Sequence, residues 1–200
     1  MKITVLGATG LTGREIVRQA LARGHDVTAV ARDPSKLEGD QVRRAAGDVR
    51  DPESMARALA GAETIVSALG VAKGESPGVL TGGAHAIVAS GATRVVWLGA
   101  FGTGPSAPAA GRLTRTMLKA MAARLPDKVT ADAAILAFGG TVFHAGPLSL
   151  GPLDPDRRTV GLEQAPRRLF PARVSRATVA AAMLDEAETP RFAGRVALPL

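Results

Sequence analysis

Gly7-Ala8-Thr9-Gly10-Leu11-Thr12-Gly13 is the stretch that most narrows what this chain can fold into. It follows Lys2-Ile3-Thr4-Val5-Leu6, a short apolar run that reads as a buried strand. It precedes Arg14 to Leu21, where apolar residues recur at helical spacing. A strand, a glycine turn and a helix in that order make a dinucleotide-phosphate cradle. Glycines let the backbone turn sharply and approach a pyrophosphate with no Cβ in the way. The helix then presents its unpaired N–H groups and positive dipole end to the anion. The spacing is G-x-x-G-x-x-G, not the G-x-G-x-x-G of the two-domain dehydrogenases. A bare glycine triplet also fits a tight turn without a ligand. The flanking strand and helix are what favour a nucleotide.

The rest of the chain repeats the alternation of strand and helix, which predicts a parallel sheet covered on both faces. Further strands are expected at Val27–Arg32, Val42–Ala46, Thr64–Leu69, Arg94–Leu98, Thr141–His144 and Arg195–Leu198. Helices are expected at Pro52–Ala60 behind an Asp51 cap, at about Pro77–Ser90 despite Gly82-Gly83, and at Ser175–Glu188 behind a Ser175 cap. The segment from Arg112 to about Phe138 reads as helical with a break near Pro126. Gly99–Gly111 and Gly146 to about Arg158 read as loops. The expectation is one Rossmann-like domain over residues 1–200: a three-layer α/β sandwich with a doubly wound, mostly parallel sheet. Its nucleotide half is residues 1–98, and residues 99–200 form a substrate-side half with a small C-terminal cap.

Composition limits the function classes. With 200 residues the chain can bury an adequate core, and it has no cysteine, so disulfides, thiolate metal sites and a cysteine nucleophile are excluded. Met1-Lys2 runs straight into the first strand and no apolar run reaches the length of a membrane span. These features predict a cytoplasmic protein without a membrane partner. The net charge of +7 comes from 25 basic and 18 acidic residues, yet Arg43-Arg44, Arg157-Arg158 and Arg167-Arg168 are scattered. Aromatic residues are only 3%, too few to make a stacking platform for single-stranded nucleic acid. Nucleic acid is therefore not the expected partner. A small molecule is, with the chain acting as a monomer or homodimer. Three histidines without an acidic cluster predict no metal site.

The end of the second strand selects the cofactor. An acid there hydrogen-bonds the ribose hydroxyls of NAD, while an arginine accommodates the 2′-phosphate of NADP. The chain reads Ala31-Arg32-Asp33-Pro34-Ser35-Lys36. Arg32 and Lys36 favour NADP(H), and Asp33 before a proline reads as a turn initiator or a ribose contact. Asp48-Val49, after the third strand, is a candidate adenine contact, with a capping role for Asp48 as the alternative. Ala68-Leu69-Gly70 closes the fourth strand with mostly small residues, letting a nicotinamide ribose pass close to the backbone.

Gly7–Gly13, Gly24–Val30, Arg32–Leu37 and Gly47-Asp48-Val49 together resemble the atypical short-chain dehydrogenases. The nearest branches are the NmrA-like NAD(P)-binding proteins and the flavin reductase/biliverdin-IXβ reductase type. Thr141–Leu148 resembles the family's T-[IV]-V-R-P-G-x-L, and Val174–Ala180 resembles its I-S-R-x-D-[VL]-A. The resemblance implies an NADP(H) site in which Gly7, Thr9, Gly10, Leu11 and Thr12 hold the pyrophosphate, with Gly13 completing the glycine set. Arg32 takes the 2′-phosphate, Asp48 and Val49 the adenine, and Ala68, Leu69 and Gly70 the nicotinamide side. The departures bear on chemistry. The chain has no tyrosine, which excludes the Tyr-x-x-x-Lys proton donor. Trp97-Leu98-Gly99-Ala100-Phe101 stands where the family keeps a serine, His144-Ala145 replaces Arg-Pro, and Thr178 replaces Asp.

Hydride transfer to a flavin or quinone survives the loss of a placed acid, because the cofactor carries the hard chemistry. Reduction of a simple ketone does not. The expectation is an NADPH-dependent oxidoreductase acting on a flavin, quinone or similar acceptor. The alternatives are a non-catalytic NADP(H) sensor of the NmrA-like type, a sugar-nucleotide epimerase or dehydratase, and a structural remnant. Candidate pocket residues are His144, Phe101, Trp97 and Lys119. His144 is a proton-donor candidate that also reads as a core histidine, and Trp97 also reads as core. His25 and His85 have no expected chemistry.

Overall fold

The computed structural model describes residues 1–37, 39–71, 74–111, 116, 125–166 and 173–200. The strands among the described residues are β1 (Lys2–Leu6), β2 (Asp26–Ala31), β3 (Arg43–Ala46), β4 (Thr64–Ser67), β5 (Arg94–Ala100), β6 (Thr141–Ala145), β7 (Leu148–Ser149), β8 (Thr159–Gly161), β9 (Val174–Ser175) and β10 (Val196–Pro199). The α-helices among the described residues are α1 (Leu11–Ala22), α2 (Pro52–Ala58), α3 (Val79–Ser90), α4 (Leu125–Ala137) and α5 (Arg176–Glu188). Eight strands form one sheet in the order β3-β2-β1-β4-β5-β6-β10-β8. All neighbours are parallel except β10 and β8. The order reverses between β1 and β4, the position where open α/β sheets bind ligands. The fold is Rossmann-like, as the sequence pattern predicts.

Alternation along the strands builds two cores. Val96 and Leu98 of β5 face one side with Ile3, Val5 and Phe143, under α1 and α5. Val95 and Trp97 face the other with Leu6, Ile65 and Val142, under α2, α3 and α4. This period of two, with both faces apolar, is what a helix-covered parallel sheet requires.

Local signals set several element ends. The Asp51 carboxylate accepts from the Glu53 and Ser54 N–H groups to cap α2. The Ser175 hydroxyl accepts from Thr178 N–H to cap α5. Gly82 and Gly83 are tolerated in α3 because the helix presses on the loop after β3: a Cβ at Gly82 would lie 2.8 Å from the Val49 carbonyl oxygen.

Some expectations fall outside the described residues, and two need correction. Pro126 lies in α4, and the expected break before it falls at residues 117–124, outside the described residues. The expected helix at 112–115 and 117–124 and the pair Arg167-Arg168 lie outside the described residues. Gly99 and Ala100 belong to β5, because they pair with His144 and Ala145 of β6. Conversely, β4 stops at Ser67, leaving Ala68 to Gly70 in the loop that follows it. The short strands β7, β8 and β9 carry no local signal of their own. They form because β9 lies beside β7 and β10 beside β8.

The N-terminus of α3 has a glycine cap with φ +100° and no side chain to offer. Asp127 of α4 supplies the cap instead, accepting from the N–H groups of Leu80 (3.2 Å) and Thr81 (2.9 Å) and from the Thr81 hydroxyl (2.6 Å). Burial pushes the Asp127 carboxyl up, but the Thr81 hydroxyl and these backbone donors outweigh it and hold its pKa below the usual value. A depressed carboxylate stabilises the fold above the unfolded pKa of about 3.9 and loses that contribution as pH falls through the folded value. Asp127→Ala is expected to cost about 1–2 kcal/mol at pH 7, as for other lost helix caps. Urea unfolding from pH 7 to 3 should show a smaller acid-induced loss in Asp127→Asn than in the parent.

Candidate functional site: a cleft across the sheet edge

The glycine loop builds the cleft from the backbone outwards. Gly7 turns the chain at φ +72°, and a Cβ there would lie 2.7 Å from the Ala68 carbonyl oxygen. Gly13 lets α1 sit against the loop, since its Cβ would lie 2.1 Å from the Gly7 carbonyl oxygen. Gly13 is buried and does not line the cleft, so its place is in packing rather than at the cleft surface. Gly10 is the N-cap of α1, and no side chain caps that helix. Its first turn therefore offers backbone donors and a positive dipole end to an anion.

The cleft has a volume of about 740 Å³ and follows the carboxyl ends of the strands. Gly7, Thr9, Gly10, Leu11 and Thr12 line its centre. Arg32, Asp48 and Val49 line one end, with Ala68, Leu69 and Gly70 beside the glycine loop. Leu98 to Ala100, Ala145, Gly146 and Leu148 line the other end. Lys36 lies in an adjoining hollow with Thr9, Arg32 and Asp33. The charged residues around the main cleft are Arg32, Arg50, Lys128 and Arg176 against Asp48 and Glu75. This surplus of positive charge favours an anionic occupant.

At the Arg32 end, most polar groups already have partners. Asp33 accepts from the Ser35 N–H (3.1 Å) and hydroxyl (2.6 Å), a turn-forming role, and lies 3.5 Å from the Lys36 ammonium. Ser35, and to a lesser degree Lys36, hold the Asp33 carboxyl below its usual pKa. The Asp48 carboxylate accepts from Arg50 N–H (3.0 Å), which shapes the turn after β3. Arg32 donates to the carboxylate of Glu75, a residue of the loop between β4 and α3 that sequence reasoning did not single out.

At the other end the structure rearranges the sequence candidates. His144 is not in the cleft: its side chain is sealed at 0% exposure. Its Nδ1 lies 2.6 Å from Ser106 Oγ and its Nε2 3.2 Å from Asp132 Oδ2. Trp97 Nε1 donates to the other oxygen of Asp132 at 2.9 Å, and Gly102 N–H donates to Ser106 Oγ at 2.8 Å. The Ser106 hydroxyl also donates to the Thr103 carbonyl at 3.1 Å, so it lies between that oxygen and the His144 ring. Ser, His and Asp thus lie in line, but sealed in the interior, where they tether β5, β6, α4 and the loop after β5. Phe101 is half-buried, donates its N–H to the Ala145 carbonyl at 2.8 Å, and lies outside the cleft wall. Lys119 lies outside the described residues. His85 is exposed, and His25 pairs with Glu188 at the surface.

An ionisable group that does line the cleft is Lys128, four residues before Asp132 on α4. Burial lowers its pKa, partly offset by the negative charges of Asp132 and Asp127. The signal in the sequence was the Lys128-x-x-x-Asp132 spacing, which puts both side chains on one helix face. Without the register of the preceding segment, nothing distinguished Lys128 from Lys119.

A parallel sheet that reverses order beside a glycine loop, with an uncapped helix aimed into a basic cleft, defines a nucleotide-binding α/β protein. The chain belongs to the NAD(P)H-binding family, whose profile matches residues 7–190. A Burkholderia pseudomallei structure described as an exported protein is 28% identical with a TM-score of 0.79, over 100% of this chain and 98% of that one. ChuY, an anaerobillin reductase from Escherichia coli, is 21% identical with a TM-score of 0.81, over 100% and 97%. A Streptococcus pneumoniae structure described as an NADH-flavin reductase is 20% identical with a TM-score of 0.78, over 100% and 99%. At the last two identities the likeness is one of fold. Among curated relatives, YwnB of Bacillus subtilis is 39% identical over 75 residues, 38% of this chain and 34% of that protein. Sterol demethylase protein B of Methylococcus capsulatus is 46% identical over 68 residues, 32% of this chain and 21% of that protein. The chain thus spans about a third or less of these two relatives. No helix among the described residues is long and apolar enough to cross a membrane.

Removing Asp132 strands Trp97 N–H and His144 in a buried site. Asp132→Ala is expected to destabilise the fold by about 3 kcal/mol or more. Unfolding followed by the fluorescence of Trp97 measures it directly.

Proposed function

We propose that the protein is an NADPH-dependent oxidoreductase that passes hydride to a flavin, quinone or similar small acceptor. The observation that carries this reading is the continuity of the cleft. It runs from Arg32, past the uncapped start of α1, to a strand-end wall that includes Gly99, Ala100 and Gly146. The bound nicotinamide cofactor supplies the hydride. The N–H groups at the start of α1 hold the pyrophosphate, with Thr9 and Thr12 beside it. Arg32 and Lys36 hold the 2′-phosphate, while Asp48 and Val49 meet the adenine. Ala68 to Gly70 leave room for the nicotinamide ribose. Leu98 and Leu148 keep water from the reacting end. Lys128 holds a proton at Nζ, and its partial burial makes that ammonium a readier donor than a surface lysine. ChuY and the S. pneumoniae protein, described as an anaerobillin reductase and an NADH-flavin reductase, support a small-molecule acceptor.

A second reading, a non-catalytic NADP(H) sensor, is favoured by the sealing of His144 and the absence of tyrosine. The two readings separate on turnover. NADPH oxidation with added FMN or a quinone supports the enzyme. Tight binding with different affinities for NADPH and NADP⁺, and no oxidation, supports the sensor. In the enzyme, Lys128→Met is expected to lower kcat roughly 10²-fold, the low end for a placed general acid. Stopped-flow oxidation of NADPH, read as kcat against KM, checks this.

A further inference from the structure

We infer that Glu75 sets the cofactor preference of this site, acting as a built-in counter-anion that competes with a 2′-phosphate for Arg32. The inference rests on the reading of Arg32 as the 2′-phosphate contact. Three observations carry it. First, Arg32 donates to the Glu75 carboxylate across the cleft, and both residues line that cleft. Second, the pair is asymmetric. The Arg32 side chain is 60% exposed, whereas that of Glu75 is only 15% exposed, tucked towards the site rather than out to solvent. Third, the neighbouring cation is matched too, since Lys36 lies 3.5 Å from Asp33. Arg32 and Lys36 therefore each have a carboxylate of the chain beside them.

The electrostatic consequence is directional. A 2′-phosphate brings a doubly charged group to the same guanidinium and meets Glu75 as a like charge at short range, which is costly in a partly desolvated cleft. Glu75 must release Arg32 and be displaced before the phosphate can dock. A plain ribose 2′-hydroxyl brings no charge, leaves the ion pair in place, and can donate to a carboxylate beside it. Glu75 thus narrows the advantage over NADH that Arg32 gives NADPH, while keeping Arg32 positioned for either. It reaches the site from the loop between β4 and α3, not from the end of β2, where a ribose-reading acid is expected.

The test is an equilibrium titration of the parent, Glu75→Gln, Arg32→Ala and the double variant with NADPH and NADH, using 2′,5′-ADP and ADP as probes of the adenosine end alone. The expected result is that Glu75→Gln tightens NADPH and 2′,5′-ADP binding roughly tenfold, the direction that removal of a like charge dictates. NADH and ADP should change by no more than about twofold, and the gain should vanish in the Arg32→Ala background, as coupled residues require. Equal changes for both cofactors, or weaker NADPH binding in Glu75→Gln, would overturn the inference and make Glu75 a loop-holding residue. If Arg32→Ala weakens NADPH but Glu75→Gln does nothing, the inference alone fails. If Arg32→Ala leaves NADPH affinity unchanged in both backgrounds, the 2′-phosphate reading of Arg32 fails and takes the inference with it.

Discussion

Everything in this structure depends on how closely α1 approaches the ends of β1 and β4. At Gly13 a side chain would lie 2.1 Å from the Gly7 carbonyl oxygen, and at Gly7 one would lie 2.7 Å from that of Ala68. Backbone packed that tightly cannot retreat as a flexible side chain can. The same contact brings the uncapped start of α1 to the point where the strand order reverses. A helix held further out would bury less of Ile16 and Ala20 and would aim its donors past the cleft. Packing and ligand geometry are therefore one constraint here, met by the absence of two Cβ atoms.

The two ends of the cleft are held differently. At the Arg32 end, turns and ion pairs at the surface set the arrangement: Asp33 with Ser35, Asp48 with Arg50, and Arg32 with Glu75. The exposed turns among these contacts add little to stability, whereas the Glu75 carboxylate, only 15% exposed, is held against Arg32. At the other end, the Trp97-Asp132-His144-Ser106 network lies inside the protein behind the cleft wall. Buried polar groups that satisfy one another fix a single arrangement, because breaking any link leaves another without a partner. That rigidity holds β5, β6 and α4 together and sets the backbone from which Lys128 reaches the cleft. The Arg32 end is open to tuning by charge, while the opposite wall is held fast.

Much of the fold was legible because its determinants are local. The period of two in β1 and β5, the cap residues Asp51 and Ser175, and the glycines at Gly7 and Gly13 act on their near neighbours or through helix and strand geometry that a sequence displays. The short strands β7, β8 and β9 were not legible, since each is defined by a partner elsewhere in the chain. Asp127 illustrates the same gap. It sits in the first turn of α4, where an acid is expected for its own helix, yet it caps α3, 46 residues earlier.

By itself the sequence determined the class of the protein: a parallel α/β sheet with a nucleotide cradle at its first turn, since glycine spacing and strand–helix alternation are backbone properties written in order along the chain. It also ruled out a tyrosine proton donor, because composition alone decides that. Only the tertiary structure decided which side chains face the cleft. It turned His144 inward to Ser106 and Asp132, brought Lys128 to the wall, and carried Glu75 across to Arg32. The physical reason is that a side chain's direction depends on what packs behind it, and for these residues the partners lie from four to 43 positions away.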